Sequence, residues 1–220
     1  MSKSGKKIII VYTDGSCMGN GRTDAVGGIG IHFPNGELKD ISKIYSLGLC
    51  TNQKTELYAI LTAIKYIKKN FNLSKYKLLI KTDSQYSINC VTKWIDGWIK
   101  NGWITQNNKP VVNREMIEAI HKYYTNYDIE FDHVDAHTNR EDDESIANAV
   151  ADKLATNATK KAFSKKKSLR KSDKSYGSKS QKKKPKISVG TNKFSGKGYI
   201  RNPSGFPTGN FIVELVKSSK

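Results

Sequence analysis

At 220 residues and 37% hydrophobic content, the chain fits one ordinary domain with an appendage better than a molecule packed throughout. Its formal charge of +18 is uneven: residues 160–220 carry 18 Lys/Arg against only Asp173 and Glu214, whereas residues 1–159 carry 20 against 18 acids. A near-neutral body with a cationic tail suits a polyanionic partner, and three scattered cysteines with no long apolar run exclude a disulfide framework and a membrane span.

The first apolar run, Ile8 to Thr13, is β-branched and continuous, the pattern of a strand buried on both faces. It is too short for a signal-peptide core, so a soluble intracellular protein is expected, in cytoplasm or nucleus, with its cysteines reduced. Asp14 to Gly21 reads as a turn-rich stretch. Gly27–Phe33 and Ile41–Leu47 read as two more strands around the turn Pro34-Asn-Gly36, which predicts an antiparallel meander.

The period then changes. Leu57, Ile60, Leu61, Ile64 and Ile67 fall at helical spacing, with Asn52 or Thr55 as the cap. Lys77–Thr82 predicts a fourth strand, Tyr86–Trp103 and Asn113–Tyr124 two helical stretches, Ile129–Val134 a fifth strand and Ile146–Ala158 a last amphipathic helix. That order argues for an α/β domain, a mixed sheet with helices on its faces, over residues 1–159. Residues 160–186 are almost all Lys and Ser and are expected to stay disordered. Residues 187–220 regain apolar character but are too few for a confident fold of their own.

Four acids stand out. Asp14 and Asp83 each follow a buried strand in Thr-Asp-small sequences, at positions that become neighbours in a sheet centre. Two carboxylates side by side repel and desolvate one another unless a cation compensates. Glu56 opens the first long helix and Asp152 lies among the apolar residues of the last. Hard oxygen donors without a His/Cys cluster suit Mg²⁺, with Mn²⁺ as a substitute, better than zinc.

These acids sit in motifs that resemble the type 1 ribonucleases H over roughly residues 7–160. The motifs are Tyr12-Thr-Asp-Gly-Ser-Cys-Met-Gly-Asn20, Thr51-Asn-Gln-Lys-Thr-Glu-Leu57, Thr82-Asp-Ser-Gln-Tyr86, Trp94-Ile-Asp-Gly-Trp98 with Asn101-Gly-Trp103, Val134-Asp-Ala-His137 and Asn148-Ala-Val-Ala-Asp-Lys-Leu-Ala155. The resemblance implies a three-layer fold with strand order 3-2-1-4-5. It implies an endonuclease that cuts the RNA strand of RNA–DNA hybrids, leaving 5′-phosphate and 3′-hydroxyl ends. Asp14, Glu56, Asp83 and Asp152 would hold two divalent ions about 4 Å apart, and His137 would assist turnover.

By the same resemblance, Asn20, Asn52 and Gln85, with Gln53 and the main chain near Cys17 and Gly19, would line the hybrid's minor groove and sense the 2′-hydroxyl. Thr51 and Asn113 match a pocket for a DNA phosphate. The arginine that often completes that pocket is replaced by Leu49, which leaves Lys54 as a candidate. Trp94, Trp98 and Trp103 interleave with Lys93, Lys100 and Lys109 as a basic, aromatic grip on the DNA strand, with Trp103 the favoured contact. The acids of Arg140-Glu-Asp-Asp-Glu144 are read as a solvated loop. The Lys-rich tail would bind phosphates without sequence preference, and Lys182-Lys-Lys-Pro-Lys186 also resembles a nuclear import signal. A monomer with no membrane partner is expected. A catalytically dead hybrid-binding protein and a basic chromatin-like protein are the competing readings.

Overall fold

A computed structural model describes residues 5–135 and 142–177, with side chains described up to Leu169. Five strands form one sheet: β1 Lys7–Met18, β2 Val26–His32, β3 Ile41–Ile44, β4 Tyr76–Thr82 and β5 Ile129–His133. Their order is β3-β2-β1-β4-β5. The first three form the expected antiparallel meander, and β1, β4 and β5 run parallel. The helices are α1 Asn52–Asn70, α2 Gln85–Asn89, α3 Ile95–Lys100, α4 Arg114–Asn126 and α5 Asp143–Gly177.

Strand β1 is central and buried on both faces. Ile9 and Val11 join Leu57, Ile60, Ile64 and Ile67 of α1 in the main core, while Ile10 and Tyr12 meet Ala147 and Ala151 of α5 on the other face. The all-aliphatic run therefore reflects helices above and below it. β1 does not stop at Thr13. It continues to Met18, paired with Val26–Gly30 of β2, and the reversal comes only at Gly19 and Gly21, both at positive φ.

The cap of α1 is Thr51, ahead of both residues expected from the sequence, Asn52 and Thr55; its side chain accepts from the Lys54 N–H. Lys68 and Lys69 close the helix where its dipole favours cations. The stretch expected as one helix from Tyr86 to Trp103 is broken: α2 passes into a π-turn over Cys90–Trp94, then α3. Thr92 bonds back to the Ile88 carbonyl, and the chain leaves α3 through positive φ at Gly102 and Trp103.

Helix α5 starts earlier and ends later than the amphipathic pattern indicates. Asp142 accepts from the Ser145 N–H and opens it. It then runs past residue 160, where the linker was expected, to Gly177. The correction has a packing cause. Ala158, Thr159 and Ala162 are buried, Thr159 bonds the Ser16 carbonyl, and Lys166 donates to the Asp24 carbonyl at 2.6 Å. The expected disorder from 178 to 186 and the segment 187–220 lie outside the described residues. Among the described residues, no helix is long and apolar enough to cross a membrane.

Candidate active site

Parallel pairing of β1 with β4, ending at Tyr12↔Lys81, brings Asp14 and Asp83 level two residues further along each strand. Two glycines then let helices approach Asp14. At Gly15 a Cβ would lie 2.3 Å from the Glu56 backbone nitrogen, so α1 rests directly on β1 at Thr55 and Glu56. At Gly30, the ladder partner of Asp14, a Cβ would lie 1.9 Å from the Ala151 carbonyl oxygen, so α5 rests directly on β2. Residues adjacent to both contacts carry the remaining acids, Glu56 and Asp152.

Asp14, Glu56 and Asp83 each offer a carboxylate oxygen, and these oxygens all lie within 4.8 Å of one another. Asp14 is only 7% exposed. Burial, then the charges of Asp83 and Asp152, pushes its pKa up to about 7. Glu56 is held well above the usual carboxylate range by burial and then by Asp14 and Asp83. Although Glu56 is half-buried as a residue, its Oε2 is buried without a hydrogen-bond partner. Asp152 stands at the margin of the trio, half-buried, accepting from Thr156 Oγ1 at 3.3 Å while its charge reaches Asp14. A convergent set of oxygen donors with an orphaned buried oxygen fits a hard divalent cation. The acids repel one another in its absence, and a cation would satisfy Glu56 Oε2.

Two polar residues that sequence reasoning passed over position this centre. His133 at the end of β5 reaches the Asp83 carbonyl through Nε2 at 3.2 Å. Lys81 pairs with Asp132 at 2.7 Å and with Glu144 on α5, tying β4 and β5 to the helix that carries Asp152. Burial alone lowers the Lys81 pKa, but its bonds to both carboxylates outweigh that and raise it. Glu144 is therefore an ion-pair partner and Asp142 a helix cap, where a solvated acidic loop was expected. The Lys81–Glu144 pair spans 63 residues and is invisible to local pattern. His137 lies outside the described residues.

The groove candidates lie at the end of β1 and at the heads of α1 and α2. Asn20 Oδ1 accepts from the Asn52 N–H at 3.1 Å, joining the β1–β2 turn to the head of α1. Gln53 is exposed, and Gln85 bonds Asn89 on its own helix. Cys17 meets Cys50, and Gly19 turns the chain at φ 77°. Lys54 Nζ donates to the Leu49 carbonyl at 3.1 Å, beside Thr51. Asn113 holds a left-handed conformation with its Oδ1 buried and unpartnered, its amide reaching Tyr86 at 3.5 Å.

The tryptophans differ from expectation. Trp103, favoured as the exposed contact, is 7% exposed and lies in the main core with Arg114 over its ring. Trp94 is the exposed one at 41%, edge-to-face with Tyr86 and tilted against Trp98. The fold places Trp103 inward because its positive φ reverses the chain after α3.

Comparison with known proteins agrees with this geometry. The family model described as RNase H matches residues 6–160. A probable ribonuclease H of Acanthamoeba polyphaga mimivirus is 57% identical over 161 residues, which is 73% of this chain and 69% of that protein. Human ribonuclease H1 is 37% identical over 155 residues, 70% of this chain, and the match spans about half (51%) of the human protein. Among solved structures, the RNase H domain of prototype foamy virus in solution is similar at a TM-score of 0.53 and 27% identity, covering 71% of this chain and 96% of that domain.

Proposed function

The chain belongs to the RNase H family, and from that premise we propose that it is an endonuclease hydrolysing the RNA strand of RNA–DNA hybrids with Mg²⁺. Mn²⁺ is a substitute. The observation that carries the reading is the trio of carboxylates with oxygens within 4.8 Å of one another, in which Glu56 also holds a buried, unpartnered Oε2. Asp14, Glu56, Asp83 and Asp152 are the residues that would hold a pair of divalent ions. When bound, such ions supply the charge that makes a water nucleophilic near neutral pH and that stabilises the leaving 3′ oxygen. Cleavage on that side of the phosphate leaves 5′-phosphate and 3′-hydroxyl ends.

The protein's own contribution is placement. Asp14, fixed in the sheet centre, presents its carboxylate between strand and helix, and Glu56 and Asp83 flank it. Lys81 and His133 hold the two elements that carry Asp152 and Asp83. His137 is proposed to assist turnover. Asn20, Asn52, Gln53 and Gln85, with main chain near Cys17 and Gly19, would read the 2′-hydroxyl face of the hybrid. Thr51 and Asn113, with Lys54, would take a phosphate of the DNA strand. Trp94 and Trp98 with Lys93 and Lys100 would lie along its sugars and phosphates, and the cationic tail would add affinity without sequence preference. The protein is proposed to act as a monomer in the cytoplasm or nucleus.

The test is direct. Labelled RNA–DNA hybrid, duplex DNA and duplex RNA are incubated with the full chain, with and without Mg²⁺. Only the RNA of the hybrid is expected to be cut, and only with metal. Asp14→Asn and Asp83→Asn are expected to bind hybrid and not cut it. Undiminished cutting by either variant would refute the assignment.

A further inference from the structure

Cys17 and Cys50 are 33 residues apart in sequence, yet their sulfurs lie 3.0 Å from each other. Cys17 sits on β1 three residues beyond Asp14, opposite Gly27 of β2. Cys50 immediately precedes Thr51, the cap of α1, and is 2% exposed. The space for this pair exists because residue 27 has no side chain: a Cβ there would lie 2.4 Å from Cys50 Sγ. Neither cysteine is in a disulfide, and the third, Cys90, is fully buried and bonded near Tyr86.

We propose that Cys17 and Cys50 are a reversible oxidation site, whose disulfide staples the end of β1 to the head of α1. A disulfide needs its sulfurs about 2.05 Å apart. The pair already stands about one ångström from that, in a pocket open to no competing side chain at residue 27. The bond would lie beside the Asn20–Asn52 hydrogen bond, which joins the same two segments without covalent help.

The chemistry is thiol–disulfide exchange with a small-molecule disulfide such as oxidised glutathione. Cys17 is the more accessible sulfur and reacts first. Its thiolate, having given its proton to solvent, attacks one glutathione sulfur, and the other leaves as a thiolate that takes up a proton. Burial, then the neighbouring Cys17 sulfur, pushes the Cys50 thiol up to about 12, so Cys50 resolves the mixed disulfide and does not initiate it. As Cys50 loses its proton it attacks Cys17 Sγ, and the second glutathione departs as its thiol. Two protein thiols are oxidised by two electrons, and one glutathione disulfide is reduced to two glutathiones.

The experiment oxidises the full chain with glutathione disulfide and then counts thiols under denaturing conditions. Two of the three thiols are expected to disappear, with a Cys17–Cys50 peptide pair found in a non-reducing digest and lost on adding dithiothreitol. The closed loop of the oxidised form is expected to raise Tm by roughly 5–10 °C over the reduced form. Cys17→Ser, at a half-buried position that tolerates the change, is expected to show neither crosslink nor Tm shift on oxidation. Three persistent thiols, a stable glutathione adduct on Cys17, a link that includes Cys90, or an oxidised form no more stable than the reduced one would each overturn the proposal.

Discussion

Gly30 faces Asp14 across the β1–β2 ladder, and a methyl group on Gly30 would lie 1.9 Å from the Ala151 carbonyl oxygen. The atom met is backbone in a helix, so it cannot rotate away. Gly30→Ala is therefore expected to push α5 off β2, displacing Asp152 from Asp14 and opening the small core of Tyr12, Ala147 and Ala151. Overpacking of this kind costs about 1–3 kcal/mol or more. Urea unfolding should show that loss, and Mg²⁺-dependent cleavage should fall more than the unfolded fraction accounts for. Wild-type stability and activity in this variant would show that α5 is not seated through that contact.

The metal-free protein should become less stable as pH rises. Asp14 has a folded pKa of about 7 against an ordinary 3.8, raised by burial and by the charges of Asp83 and Asp152. Below pH 4 both states hold the proton. Between about 4 and 7 the folded state binds more protons at Asp14 than the unfolded one does, so unfolding becomes easier with each step upward; above 7 the Asp14 part stays constant, and Glu56, also raised by burial, adds a loss of the same sign. At about 1.4 kcal/mol per pH unit the loss is on the order of a few kcal/mol. Denaturation in chelator at pH 5 and pH 8 measures it. Asp14→Asn should make the dependence shallower, leaving the part that burial of Glu56 contributes, and added Mg²⁺ should restore wild-type stability at pH 8 through binding to the folded state.

Asp14, Glu56 and Asp83, whose carboxylates converge, lie at strand ends and near a helix start, which are local signals in the sequence, and Thr-Asp-small after an apolar run marks two of them. What brings them together was not legible. Gly15 and Gly30 act through backbones contributed by α1 and α5, and an isolated glycine in a strand reads equally well as a weak point or a bulge. The stretch Asp14–Met18 looked like a turn because Asp, Gly and Ser favour turns, yet pairing with a glycine-rich neighbour keeps it extended. Composition judged residues beyond 160 unable to fold, since Lys and Ser bury little. Ala158, Thr159 and Ala162 nonetheless seat the helix on β2, Lys166 adds its bond to the Asp24 carbonyl, and Lys160, Lys161, Lys165 and Lys167 are exposed. Trp103 misled for a similar reason: a tryptophan between lysines looks like a ligand contact until the positive φ turns it inward.

Trp94 and Trp103 should separate binding from folding. Trp94→Ala removes an exposed ring and is expected to leave stability within about 0.5–1 kcal/mol of wild type while weakening hybrid binding by about 1–2 kcal/mol, roughly tenfold in KM with kcat little changed. Trp103→Ala empties a core site beneath Arg114 and is expected to cost about 3–5 kcal/mol of stability. Thermal unfolding with steady-state kinetics on the two variants decides the matter; the reverse pattern would put Trp103 on the hybrid.

Where the catalytic body ends can be tested by two truncations. A chain stopped at Ala158 loses Thr159, whose hydroxyl bonds the Ser16 carbonyl two residues from Asp14, and loses the buried Ala162 and the Lys166 contact with the Asp24 carbonyl. It is expected to be less stable by about 2–3 kcal/mol, from one buried hydrogen bond and the apolar area of the removed turns. A chain stopped at Leu169 keeps those contacts and loses residues 170–220, with 13 of the chain's Lys/Arg. It should unfold with the full-length protein and keep kcat, while its KM for hybrid rises and the dependence of KM on salt becomes shallower as fewer phosphates are neutralised. If the Ala158 chain instead matches the Leu169 chain in stability, the turns of α5 beyond the boundary contribute nothing to the fold, and the lysines act from a helix that only happens to lie on β2.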